Sequence, residues 1–117
     1  MTFVNFTNHP VSTWDKAQLA AAEEYGEIVE LPFPVVNSGA SEKNITDLAD
    51  EMEEKIMDLN PAAVMCQGEF TLAYAVIRRL RNRGIKVVAA CSERMVEMNK
   101  EGKKVVTFHF EQFREYE

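Results

Sequence analysis

The chain is short of nearly every residue that would announce a specialised chemistry. It has two cysteines among 117 residues, Cys66 and Cys91, too few and too far apart for a disulfide framework or a C-x-x-C metal or redox motif. Both follow apolar runs, so they read as buried free thiols in a reducing compartment. The two histidines, His9 and His109, lie at opposite ends of the chain. Neither has an acidic partner at helical spacing, so no metal signature arises and no cofactor is implied. No G-x-G-x-x-G or G-x-x-x-x-G-K-[ST] occurs, which removes the dinucleotide fingerprint and the Walker loop. G-x-S-x-G is missing as well, and neither cysteine is followed six residues on by arginine, which leaves covalent catalysis without support.

Long apolar stretches are also lacking, and a membrane span needs about 20 such residues. Residues Met1 to Thr7 have no basic start and no apolar signal region, so a soluble cytoplasmic protein is expected. Positive charge is in deficit, with 13 Lys and Arg against 19 Asp and Glu and a net charge of −6. Duplex nucleic acid is therefore an unsuitable partner, since its affinity rests on many phosphate contacts. A small anion is not excluded, because backbone amides and one or two cations can hold it.

What remains is ample for a folded core. Hydrophobic residues make up 46% and charged residues 27% of the chain, and the length suits one domain over residues 1–117. Punctuation and period divide it into alternating elements. Thr2 to Phe6 is β-prone. Lys16 to Tyr25 follows as a helix that Ser12 or Thr13 can cap, ending at Gly26. Glu27 to Leu31 reads as a strand that Pro32 and Pro34 stop, and Val35 to Ala40 as a loop. From Ser41 onward Ile45, Leu48, Ala49, Met52, Ile56 and Leu59 form one apolar stripe. The acidic opposite face, Glu42 to Asp58, reads as solvated. Ala62 to Cys66 is a strand, Glu69 to Arg83 a helix closed by Gly84, and Ile85 to Ala90 a strand covered on both faces. In the tail, Met95 to Met98 and Lys103 to Phe110 flank the turn-forming Asn99 to Gly102. Alternation of Val106, Phe108 and Phe110 with Thr107 and His109 predicts one buried face, with Phe113 and Tyr116 packing at the end.

The order β-α-β-α-β-α-β plus a tail predicts an α/β, Rossmann-like, doubly wound and mainly parallel sheet. Its expected strand order is 2-1-3-4, with a C-terminal hairpin or edge strand. Such sheets bind ligands beyond the carboxyl ends of their strands, where the order reverses, here between strands one and three. Three loops lie there: Asn5-Phe6-Thr7-Asn8-His9-Pro10 with Trp14 and Gln18, then Gln67-Gly68-Glu69-Phe70-Thr71, then Cys91-Ser92-Glu93-Arg94. Gly68 and the free amides of Glu69 to Thr71 form a candidate anion cradle, although the Glu69 carboxylate can fill it as a cap. His9 can donate to phosphate or act as a general acid, or simply brace its turn. Trp14 can stack on a base or close the core. Arg94 can neutralise phosphate or pair with Glu93 or the tail. The basic cluster Arg78, Arg79, Arg81, Arg83 and Lys86 lies at the far end of its helix, as a structural feature or an interaction surface.

Taken together, these three loops resemble those of small stand-alone CRISPR-associated proteins similar to CRISPR-associated Rossmann-fold (CARF) sensor domains, some of which are ring nucleases. The likeness covers about residues 1 to 94. It implies a homodimer that binds a cyclic oligoadenylate, or another small nucleotide, across its crevices. Thr7, Asn8 and His9 would match the polar loop after the first strand, and Gly68 and Thr71 the loop opening a ligand-facing helix. Trp14, Gln67, Glu69 and Ser92 complete the expected ligand-binding set. In its enzymatic form the resemblance implies metal-independent attack of a ribose 2′-hydroxyl on the adjacent phosphodiester, with His9 or Arg94 stabilising the developing charge. A sensor or sponge for the same ligand, and a protein-interaction module, are the non-enzymatic alternatives.

Overall fold

The computed structural model describes residues 1–117. Its elements are β1 (Thr2–Phe6), a 3-10 turn (Val11–Thr13), α1 (Lys16–Glu23), β2 (Glu27–Glu30), α2 (Glu42–Met57), β3 (Pro61–Cys66), α3 (Phe70–Asn82), β4 (Lys86–Met98) and β5 (Lys104–Glu115). The five strands form one mixed sheet in the order β2-β1-β3-β4-β5. The first four are mutually parallel, and β5 runs antiparallel to β4. The fold is thus α/β with the expected central order, but the tail makes the sheet mixed.

Local chemistry sets the helix boundaries. Asp15 caps α1 by accepting from the Gln18 amide at 2.8 Å. Ser41 and Asn44 form a reciprocal capping box that starts α2. α2 gives way to β3 through Asn60, held at φ 53°, a left-handed position that asparagine tolerates better than most residues.

Period-two alternation along β1 and β3 sends side chains to opposite faces of the sheet. Val4, Phe6, Val64 and Cys66 pack under α2 and α3 with Ala49, Met52, Ile56, Leu72, Val76 and Leu80. On the other side Phe3, Ala63, Met65 and Val88 pack with Ala22 of α1 and with Trp14. The acidic face of α2 is solvated as expected, with only Glu53 half-buried, and three of its carboxylates also meet arginines of α3. Arg79 of α3 meets Asp50 at 2.9 Å, and Arg83 meets Glu53 at 2.8 Å and Glu54 at 3.1 Å. The basic cluster and the acidic run thus face each other, although such exposed pairs contribute little each.

The tail departs most from expectation. β4 continues through Cys91-Ser92-Glu93-Arg94 without a loop, and its ladder with β5 extends to Met98 and Lys104. Pairing with β3 has already stopped at Met65 and Val88, so the rest is a two-stranded arm. The radius of gyration, 15.9 Å, exceeds the roughly 13 Å of a compact chain this long. Val106 and Phe108 do share a face, but neither is buried: they are 43% and 65% exposed. Alternation assigned the face correctly, and the cover is missing because α1 and its cap reach the arm only as far as Phe110. Cys66 is buried as expected, whereas Cys91 is only half-buried.

Ile56 is wholly buried between α2 and the sheet. Ile56→Ala is expected to cost about 2–5 kcal/mol in urea unfolding; a loss below 1 kcal/mol would mean that the α2 side packs otherwise.

Candidate functional site

The site begins with a polar residue in the middle of the sheet. Asn5 is 2% exposed, and a buried amide must find partners. Its Nδ2 donates to the His9 carbonyl at 2.9 Å, and its Oδ1 accepts from the Thr7 hydroxyl at 2.7 Å. The Thr7 hydroxyl in turn accepts from the His9 amide at 3.0 Å, and the Trp14 indole N–H donates to the same His9 carbonyl at 3.1 Å. The backbone of His9 is therefore fixed from both sides, while its imidazole is left exposed.

Two hollows open beside that ring. The larger, about 690 Å³, is lined by Asn8, His9, Gln67, Gly68, Phe70, Ala73, Tyr74, Ile77, Tyr116 and Glu117. The smaller, about 520 Å³, lies on the α1 side and includes His9, Trp14, Asp15, Gln18, Gln67, Ser92, Phe108 and Phe110. His9 and Gln67 belong to both, at the carboxyl ends of β1 and β3. Gln67 also holds the sheet together where β3 and β4 diverge, its Oε1 accepting from the Ala90 amide at 2.7 Å. No lysine or arginine lines either hollow. No three His, Cys, Asp or Glu side chains gather closely enough to share a metal ion.

The expected site residues thus divide. Asn8, His9, Gln67 and Gly68 converge on the larger hollow, and His9, Trp14, Gln67 and Ser92 on the smaller. Trp14 is buried against Phe3 and Phe113, with ring centroids at 6.2 and 6.5 Å, and offers no free face for a base. Thr7 is buried and committed to Asn5 and His9. Arg94 is displaced from the crevice because β4 does not turn: it sits on the arm, across from Phe108. The Gly68 backbone lies against the Phe33 ring, where an added Cβ would stand 2.7 Å from ring carbons. Packing therefore requires that glycine, whatever binds beside it.

The amides at the start of α3 do not form an open cradle. The Glu69 carboxylate accepts from the Thr71 amide at 2.7 Å and the Leu72 amide at 3.2 Å, and takes the Thr71 hydroxyl at 2.6 Å. The Thr71 hydroxyl and these amides together hold the carboxyl below its ordinary pKa. Glu69 and Thr71 line neither hollow, and the helix terminus is filled by its own side chain.

Sequence reasoning passed over Phe70 and Tyr74, which are 88% and 69% exposed at the mouth of the larger hollow. The signal was present: they stand four apart on a helix whose stripe is Leu72, Ala73, Val76 and Leu80, so core packing does not account for them. Tyr116 closes the same hollow and donates to the Cys66 carbonyl at 2.7 Å. Burial, followed by the two nearby thiols, raises its pKa, and burial alone pushes the Cys66 thiol up to about 12.

Two measurements check this construction. Asn5→Ala is expected to cost about 1–3 kcal/mol in urea unfolding followed by Trp14 fluorescence; an unchanged midpoint would show that the loop does not depend on Asn5. Because the folded pKa of Glu69 is depressed, its stabilisation is present above the unfolded value and lost as pH falls through the folded one. The midpoints of the native chain and Glu69→Gln should therefore differ at neutral pH and converge in acid. A gap independent of pH would contradict the cap.

No curated protein matches the chain. Its residues 1–114 match a family model almost from end to end, and the chain accordingly belongs to the Uncharacterized protein MJ1673 family.

Proposed function

We propose that the chain is a Rossmann-like binding protein for a small nucleotide, with a cyclic oligoadenylate as the ligand class that the loop resemblance favours. The observation that carries the reading is the pair of exposed rings, Phe70 and Tyr74, at the mouth of a hollow that also holds His9 and Gln67. Exposed aromatic rings suit base stacking. The amide groups of Asn8 and Gln67 can read the polar edge of a base.

Binding is better supported than cleavage. Attack by a 2′-hydroxyl needs a group that stabilises the developing charge, and of the two expected groups Arg94 lies out on the arm. His9 is left for that role, with an exposed ring on a fixed backbone. A sensor or sponge is therefore the preferred form.

Calorimetric titration with cyclic tetra-adenylate and cyclic hexa-adenylate in EDTA, followed by chromatography of the mixture, tests this. Retention of one ring without linear products is expected. Stacking contributes ~1–3 kcal/mol per base, so Tyr74→Ala and Phe70→Ala should each weaken binding roughly 5- to 150-fold. No heat with either ring, or affinity untouched by both substitutions, would contradict the reading. Linear products abolished by His9→Ala would turn the sponge into a ring nuclease.

A further inference from the structure

The arm has a free strand edge, and its polarity can be worked out. The Asn99 amide donates to the Lys103 carbonyl at 2.9 Å, so residues 99 and 103 exchange ladder bonds between β4 and β5. Ladder bonds alternate along antiparallel strands, so Val105, Thr107 and His109 turn their backbone groups toward β4. Lys104, Val106, Phe108 and Phe110 turn theirs outward. Phe110 bears this out, its amide donating to the Asp15 carboxylate at 3.1 Å. The start of α1 therefore covers the β5 edge at Phe110, and from Val106 to Phe108 the outward groups have no cover within the chain.

Natural proteins guard exposed edges with charge, proline, bulges or a covering element. The opposite edge of the arm has Glu93, Arg94 and Glu97 within β4. The stretch from Val105 to Phe110 has no Asp, Glu, Lys, Arg, Gly or Pro and is rich in β-prone residues.

We infer that two copies of this chain join through the β5 edges of their arms, antiparallel across a two-fold axis at Thr107. Directly opposed residues in an antiparallel pair point to the same face. A register centred on a residue therefore matches apolar with apolar, and one centred between residues would not. Charge at the start of α1 selects among the centred registers. With Thr107 on the axis, Val106 of each copy exchanges ladder bonds with the partner's Phe108. The ladder ends there, because Asp15 already takes the outward N–H of Phe110, and the partner's Lys104 and the partner's Lys103 arrive beside the carboxylates of Asp15 and Glu111. Centring on Phe108 would drive the partner strand further into α1 and lose both charge pairs. Self-pairing of the β4 edge around Met95 would instead oppose Glu93 to the partner's Glu97.

The joint continues the exposed face of Val96, Met98, Val106 and Phe108 across the axis. It also sets the smaller hollow of each copy, which Phe108 and Phe110 line, on either side of the seam. This inference does not depend on a ligand, and it gives the homodimer implied by the resemblance a defined interface and register.

Sedimentation equilibrium of the full chain at tens of micromolar should give twice the 13.3 kDa chain mass. Val106→Pro deletes an outward N–H, which an edge strand tolerates, and should give a folded monomer by circular dichroism. Thr107 and its counterpart would form a pair without ladder bonds, with Cα atoms about 4.5 Å apart, within disulfide reach. Thr107→Cys in a Cys91→Ser background should therefore oxidise to a covalent dimer. A monomeric native chain, a Val106→Pro variant that stays dimeric, or a Thr107→Cys variant that fails to cross-link would each overturn the inference. If Val106→Pro does not fold, the cross-link alone decides.

Discussion

Burial of β1 on both faces is the constraint from which the rest of the molecule follows. Phe3, Val4, Asn5 and Phe6 are all essentially inaccessible to solvent, so helices must cover the sheet on either side. A central strand with both faces covered leaves its carboxyl end as the place where polar chain first meets water. Asn5 takes advantage of that position. A buried amide must be satisfied, and it is satisfied by the two residues that form the following turn, Thr7 and His9. The interior of the sheet thereby dictates the conformation of the loop that presents the imidazole.

The same economy explains why the helix terminus beside it is not an anion site. A free N-terminus with its dipole attracts whatever negative group is nearest, and in α3 that group is the adjacent Glu69 carboxylate. On the proposed function, recognition falls to aromatic rings, amides and one histidine, groups suited to a base more than to a phosphate cluster. The charge surplus, net −6, points the same way.

Much of this was legible in the sequence, because it was written in local chemistry. Gly26, Ser41, Pro61 and Gly84 mark element ends within a residue or two. The two periods separate helices from strands, and right-handed crossovers with helices on both faces lead to the order of the four parallel strands. What escaped was decided by neighbours distant in sequence, present or missing. Ser92-Glu93-Arg94 looks like a loop beyond a buried strand because it turns polar, yet β5 supplies ladder partners and the strand continues. Val106 and Phe108 look buried because they alternate, but alternation reports a shared face and says nothing of what covers it. Gly68 reads from the sequence as a close-approach position, but what approaches it, the Phe33 ring, is distant in sequence and brought there only by the fold. Trp14 likewise could not be assigned from its neighbours in the chain, because its indole partner is a carbonyl fixed by Asn5.

The hollow between the ends of β1 and β3 is the proposed nucleotide site. A titration of the isotopically labelled protein with cyclic tetra-adenylate and cyclic hexa-adenylate, followed by nuclear magnetic resonance, addresses this directly. Saturable shifts concentrated at Asn8, His9, Gln67, Phe70 and Tyr74 with one of the two rings are the predicted result. Shifts confined to the distal arm or to the arginines of α3, or none with either ring, would contradict it.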